Sequence, residues 1–217
     1  HKTVKTLDNV YQAKTVILCM GAHPRELGLD REKEFRGAGV SYCATCDGAF
    51  FKDRTVAIIG GGDTAAEDAM YLTRFCKKIY LIHRRDILRA QKVLQDAIFD
   101  NKRIEVIWNS VVEKLHGQFG LEGITLRNLK TGEQKDIELD GMFVAVGTVP
   151  NSELVKGKIE LNERGYIVTD ENMQTNVFGV YSAGDIREKP LRQVITAAAD
   201  GAIAAYMAER YIGEHRW

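Results

Sequence analysis

Residues Thr55-Val-Ala-Ile-Ile59 run directly into Gly60-Gly61-Gly62, and a helical pattern follows from Thr64 to Phe75. A β-forming run without polar alternation is expected where a strand is covered on both faces. A strand that ends in glycines and opens a helix has few uses. In Gly60-x-Gly62-x-x-Ala65, Gly60 allows a tight turn, Gly62 lets the backbone approach a pyrophosphate, and Ala65 permits close helix–strand packing. The helix start then offers unbonded N–H groups and a positive dipole end to phosphate. The reading is a dinucleotide site, against the plainer alternative of an ordinary tight βα turn.

The surrounding pattern supports a doubly wound α/β unit. A strand at Lys78 to Ile82, a helix from about Ala90 to Asp100 and a strand at Ile104 to Trp108 follow in order, as in a right-handed parallel arrangement. Residues 110–139 alternate and hold Gly117, Gly120, Gly123 and the Thr131-Gly132 turn, which predicts an antiparallel meander appended to the parallel sheet. Gly141 to Val146 reads as another buried strand. Upstream, Thr3 to Val10 and Gln12 to Met20 read as a hairpin arm and a buried strand, residues 25–40 as a polar connector. Downstream, Tyr166 to Thr169 and Gly179 to Tyr181 read as short strands and Arg192 to Tyr211 as a terminal helix. The segments 13–24 and 139–150 share a pattern of apolar strand, glycine, two residues and proline. That repetition suggests two related sheet domains, although only one carries a glycine fingerprint; strand–glycine–proline also arises by chance.

The next strand indicates which dinucleotide. NAD sites place an acid at its end, on the ribose 2′-hydroxyl. Here it ends in His83-Arg84-Arg85, with Arg89 a turn further on and Asp86 beyond the arginines. Guanidinium groups suit a 2′-phosphate, so the expectation is NADPH; a solvated basic turn is the alternative.

Cys43-Ala44-Thr45-Cys46-Asp47 is the second chemical signal. A C-x-x-C pair is redox-active, half of a zinc site, or an inert structural pair. Zinc would need two more ligands, and the sequence shows no second C-x-x-C or paired-histidine motif, so no metal site is expected. The spacing allows a reversible disulfide, and attack requires a thiolate. Asp47 is placed to move a proton, or else caps a helix or turn. Cys19 and Cys76 lie in apolar surroundings and read as buried thiols. A third, weaker signal is Gly184-Asp185 at a strand end, followed by Arg192-Gln193 and an alanine-rich helix with Ala197 to Ala199 and Gly201. The Asp185 carboxylate there could bind a polyol hydroxyl.

Composition narrows the class. Lys plus Arg equals Asp plus Glu, 30 each, over 217 residues, which argues against a broad nucleic-acid surface. No run is long enough for a transmembrane helix, because Asp200 interrupts the stretch from Val194 to Ala208. No secretory signal is present and the chain opens at His1, so a fragment or processed chain is expected. Four cysteines suit a reducing cytoplasm.

Together, VSYCATCDG, IIGGGDTAAEDA, HRRDILRA, VAVGTVPN and VYSAGDI with RQVITAAADG resemble the low-molecular-weight thioredoxin reductases over essentially the whole chain. The resemblance implies an NADPH-binding Rossmann-like domain, three-layered, inserted in a partial FAD domain of the same type. It places 1–22 at the end of the first FAD-domain segment, 23–147 in the NADPH domain with the dithiol, and 148–217 in the returning FAD segment. It implies that Cys46 is the thiol nearest the flavin, Cys43 the thiol that attacks the thioredoxin disulfide, and Asp47 the acid–base partner. Gly60, Gly62, Asp63, Thr64, Ala65, His83, Arg84, Arg85, Arg89 and Gly147 would contact NADPH. Gly21, Gly184, Asp185, Arg192, Gln193 and Val194 would contact FAD. Family members pass hydride from NADPH to FAD, then electrons to the dithiol and to thioredoxin, act as homodimers, and rotate one domain against the other; hinges would fall near 22–25 and 147–151. The family's N-terminal FAD segment is absent, so the chain is expected to bind NADPH but hold FAD weakly and to be incomplete alone. Cys19-Met20-Gly21 departs from the usual alanine-threonine-glycine. Alternatives are a peroxiredoxin reductase of the same class, a ferredoxin-dependent relative and, for the fragment, a non-catalytic NADPH-binding module.

Overall fold

The computed structural model describes residues 2–215, which form two compact units. One comprises His1–His23 and Thr148–Trp217, the other Pro24–Gly147. The chain therefore passes between units twice, at 23/24 and at 147/148.

The first unit opens with β1 (Lys2–Lys5) and β2 (Val10–Ala13), an antiparallel hairpin, then β3 (Val16–Leu18) and β4 (Ala22–Pro24). The hairpin turn falls at residues 6–9, inside the segment read as a single arm. Strand β3 is half-buried throughout rather than buried, and Cys19 beyond it is exposed, which corrects the expectation of a buried thiol. Its apolar neighbours in sequence had suggested otherwise.

The second unit contains β5 (Val40–Ser41), α1 (Ala44–Asp47), β6 (Thr55–Ile59), α2 (Asp63–Leu72), β7 (Lys78–Ile82), α3 (Lys92–Asp100), β8 (Ile104–Ile107), β9 (Ser110–His116), β10 (Gly123–Asn128), β11 (Gln134–Glu138) and β12 (Gly141–Val144). Five strands form a parallel sheet in the order β5-β12-β6-β7-β8. Alternate residues on these strands enter two different cores. Val56, Ile58, Ile79, Leu81 and Phe143 pack with Ala65, Ala66, Ala69 and Leu72 of α2 and Ile98 of α3. Ala57, Ile59, Ile82, Met142 and Val144 pack with Val112, Leu115, Ile124, Leu126 and Ile137 of the meander β9–β11. The unit is a helix–sheet–meander sandwich, with the meander forming its own antiparallel sheet.

Boundaries move where side chains compete with the helical pattern. Helix α2 stops at Leu72, not Phe75, where the Thr73 hydroxyl donates to the Met70 carbonyl (2.6 Å). Helix α3 starts at Lys92, not Ala90, because Leu88 and Ala90 are buried and Gln95 Nε2 donates to the Ala90 carbonyl (2.7 Å). The segment 25–40 is more than a connector: Phe35 is 1% and Glu32 2% exposed.

The chain then returns through β13 (Thr148–Pro150), which pairs with β4, and β14 (Val180–Ser182), which pairs in parallel with β3. So the two strand–glycine–proline segments meet: their ends pair with each other. No strand forms at 166–169; Ile167 makes isolated bridges to Leu161 and Arg187. Helix α4 (Val194–Glu214) buries Asp200, Ala204 and Ala208 on one stripe, whereas Ala198 and Ala199, expected to allow close packing, are exposed. Among the described residues no helix is long and apolar enough to cross a membrane.

Asp68, half-buried on α2 beside Glu67, has its carboxyl pushed up to about 6, from an ordinary 3.8, by burial and then by Glu67. A raised folded-state value penalises the ionised form, so stability falls as pH rises from about 4 to about 6. Asp68→Asn is expected to flatten that dependence, gaining about 2 kcal/mol relative to the wild type between pH 4 and pH 7. Urea titrations at several pH values check this; parallel curves for the two proteins would refute it.

Candidate active site

Two of the chemical signals leave the same edge of the parallel sheet. Ser41 of β5 and Ile58 of β6 both pair with Phe143 of β12, so the two strands flanking β12 are level there. Beyond Ser41 the chain enters the dithiol turn, and beyond Ile59 it enters the glycine turn. In open α/β sheets, ligands bind outside these carboxyl ends.

The glycine turn shows three separate reasons for glycine. A Cβ on Gly60 would lie 2.6 Å from the Ala145 carbonyl oxygen and 2.7 Å from Ala65 Cβ, so strand and helix could not approach. A Cβ on Gly61 would run into the His83 ring. A Cβ on Gly62 would meet nothing within 4 Å, which leaves the space beside the N-terminus of α2 open to a ligand phosphate. Gly61 was not singled out in the sequence because its constraint comes from His83, just beyond the end of another strand.

A cavity of about 400 Å³ adjoins the turn, and its walls include Gly60, Gly61, His83, Arg84 and Arg89. Arg25, Ser110 and Val111 also line it, none of them suggested by a motif. Its walls do not include Gly62, Asp63, Thr64, Ala65, Arg85 or Gly147. Asp63 accepts from the Gln91 backbone N–H (2.7 Å), tying the start of α2 to that of α3, and Ala65 is buried. Gly147, at φ +106°, accepts from the Arg25 N–H (2.9 Å). Arg84, Arg85 and Arg89 are exposed. His83 is 5% exposed, and its Nε2 is buried without a hydrogen-bond partner. Burial, and then Arg89 and Arg85, lower its pKa, so at neutral pH it offers a hydrogen bond rather than a charge. Open space at a helix start, three guanidinium groups and an orphaned imidazole nitrogen fit a phosphorylated dinucleotide.

Cys43 and Cys46 form a disulfide, with Cα atoms 5.3 Å apart. Cys43 caps α1: its Sγ accepts from the Cys46 N–H (3.2 Å), and its carbonyl accepts from the Asp47 N–H (3.1 Å). Cys46 is exposed and Cys43 half-buried. Asp47 does not cap the following turn; its Oδ2 accepts from Ser41 Oγ (2.6 Å). Ser41 Oγ in turn accepts from the Cys43 N–H (3.1 Å), so one buried hydroxyl ties the carboxylate to the first cysteine.

A second tie acts on Tyr42. Its hydroxyl donates to Glu32 (2.7 Å), which also accepts from the N–H groups of Leu27, Gly28 and Leu29 at 2.9, 2.8 and 3.1 Å. Burial raises the Glu32 carboxyl, but these four bonds outweigh it and hold it below the usual range. Burial and the bond to Glu32 raise Tyr42. Phe50, 83% exposed, stands a few residues beyond the dithiol and presents apolar surface. Ser41 lies inside the VSYCATCDG segment, which by itself suggests no role for it; Phe50 has only its nearness to the cysteines as a signal, and Glu32 has none.

In the first unit, Gly184 sits at φ +82° and its N–H donates to Asp200 Oδ2 (3.1 Å). Asp185 Oδ1 is buried without a hydrogen-bond partner, as expected of an acceptor shaped for an external hydroxyl. Asp200 is neutralised by Lys189 (2.6 Å) and Arg187 (3.5 Å). Arg192 stacks over the Tyr166 ring (4.1 Å) and donates to the Asp185 carbonyl (3.4 Å). Gln193 forms a capping box with Thr196, and Val194 is 87% exposed. Gly21, at φ +68°, accepts from the Asn151 N–H (3.0 Å). The orphaned Asp185 oxygen fits the polyol of a flavin nucleotide.

Residues 1–201 match the pyridine nucleotide-disulphide oxidoreductase family. The chain is 51% identical to the thioredoxin reductase of Peptoclostridium acidaminophilum over 97% of its own length and 69% of the relative's. It is 46% identical to that of Bacillus subtilis (strain 168) over 99% and 68%. The crystal structure of thioredoxin reductase from Streptococcus pyogenes MGAS5005 superposes with a TM-score of 0.93 at 45% identity, covering 98% of this chain and 70% of that one.

Gly62→Ala separates ligand from fold. Its backbone (φ −98°, ψ −176°) suits alanine, so thermal stability should be unchanged while affinity for NADP⁺ falls about tenfold or more. Calorimetric titration beside a melting curve checks this; equal affinity would remove the phosphate from this turn.

Proposed function

Since the chain belongs to the pyridine nucleotide-disulphide oxidoreductase family and, within it, to the thioredoxin reductases, we propose that it acts as an NADPH-dependent reductase of thioredoxin, with FAD as bound cofactor and Cys43–Cys46 as its dithiol. The observation that carries the reading is the Cys43–Cys46 disulfide, set at the same sheet edge as the glycine turn.

The glycine turn and the N-terminus of α2 would hold the pyrophosphate, with Arg84, Arg85 and Arg89 around the 2′-phosphate and His83 as a neutral hydrogen-bonding wall. Asp185 would accept a flavin polyol hydroxyl, and the Asp200 carboxylate fixes the Gly184 N–H beside it. When bound, the nicotinamide and the flavin together supply the two electrons that open the Cys43–Cys46 bond. The chain's own sulfur chemistry follows. One cysteine of the reduced pair, Cys43, attacks as thiolate on a sulfur of the thioredoxin disulfide; one S–S bond breaks and a mixed disulfide forms. Cys46 as thiolate then attacks the Cys43 sulfur, which restores the internal disulfide and releases the second thioredoxin thiol. Each departing thiolate needs a proton, and Asp47, tied by Ser41 to the backbone of Cys43, would relay it; that tie supports the role. The exposed Phe50, four residues beyond Cys46, would give the partner protein an apolar contact.

The test is thioredoxin reduction with FAD supplied, comparing NADPH with NADH and the native protein with Cys43→Ser. Turnover should prefer NADPH and fall to background in the variant. Turnover with NADH alone, or bound flavin and intact cysteines without thioredoxin reduction, would point to a peroxiredoxin reductase or another disulfide partner.

A further inference from the structure

The arginine turn is held by a part of the fold that no nucleotide motif includes. Lys130 lies exposed at the tip of the hairpin between β10 and β11, and its Nζ is 2.6 Å from Asp86 Oδ2. Asp86 directly follows Arg84 and Arg85. The tip is fastened there by main-chain bonds: the Leu129 N–H donates to the Asn109 carbonyl (2.6 Å), and the Asn109 N–H donates to the Arg85 carbonyl (3.2 Å). Asn128 Oδ1 accepts from the N–H groups of Lys130 (2.9 Å) and Thr131 (3.1 Å), which sets the stem of Lys130. The links from Arg85 through Asn109, Leu129 and Lys130 to Asp86 close a ring around the turn.

The chemistry of that ring concerns coenzyme choice. An acid at the end of this strand is what a site for an unphosphorylated ribose uses. An unpaired Asp86 carboxylate would repel a 2′-phosphate and compete for the guanidinium groups of Arg84, Arg85 and Arg89. Bound to Lys130, its charge is cancelled where it would do harm. We propose that Lys130 is a specificity-determining residue: by holding Asp86, the meander tip leaves the three arginines to a 2′-phosphate and so adds to the preference for the phosphorylated dinucleotide. Lys130 acts through Asp86 and is a positioning residue. The inference rests on the NADPH reading above, and the pair is exposed, so the effect is modest and screened by salt.

The experiment is calorimetric titration of the protein with NADP⁺ and, separately, NAD⁺ at low ionic strength, for the wild type, Lys130→Ala and Lys130→Ala/Asp86→Asn. The wild type should favour NADP⁺. Lys130→Ala should bind NADP⁺ about two- to fivefold more weakly, with NAD⁺ affinity and thermal midpoint unchanged, and the double variant should regain NADP⁺ affinity. An unchanged NADP⁺ affinity in Lys130→Ala overturns the inference, and so does a loss that Asp86→Asn leaves in place. A wild type without preference for NADP⁺ overturns the coenzyme reading itself.

Discussion

Strand β6 is covered on both faces, and most of the second unit follows from that. Val56 and Ile58 face the helices while Ala57 and Ile59 face the meander. A parallel sheet needs both coverings, because neither face can be left to water without exposing an apolar surface. The helices alone satisfy one side. The inserted antiparallel meander satisfies the other, so it is structural before it is anything else. With both faces occupied, the carboxyl edge of the sheet is the place left for chemistry, and there the chain puts the glycine turn and the dithiol.

Buried charge is handled in two ways. Among the described residues no cation pairs with Glu32; three backbone N–H groups and Tyr42 supply its compensation, so the loop at 27–32 grips the residue before Cys43. Asp200 is matched by Lys189 and Arg187 and spends its remaining capacity on Gly184. In each case a carboxylate holds the residue just before a candidate site residue: Tyr42 before Cys43, and Gly184 before Asp185. By contrast, His83 Nε2 and Asp185 Oδ1 are buried polar atoms left without partners. Such atoms are costly unless something else completes them, and each belongs to a residue to which the proposed function gives a nucleotide contact.

The sequence by itself determined the parallel strands, the glycine turn, the basic strand end and the redox pair, because each is a local pattern: apolar continuity over five residues, glycines at fixed offsets, two cysteines three apart. The boundaries at Leu72 and Lys92 escaped it, since a hydroxyl and a glutamine side chain settled them. Burial escaped it as well: Cys19 has an apolar neighbourhood in sequence and an exposed one in space. Only the tertiary structure decided why Gly61 must be glycine, that Ser41 joins Asp47 to Cys43, that Glu32 holds Tyr42, and that Lys130 reaches Asp86 across 44 positions. Each of these depends on where one strand lies against another, and contact across a sheet is set by the packing of the whole core, which no short stretch of sequence contains.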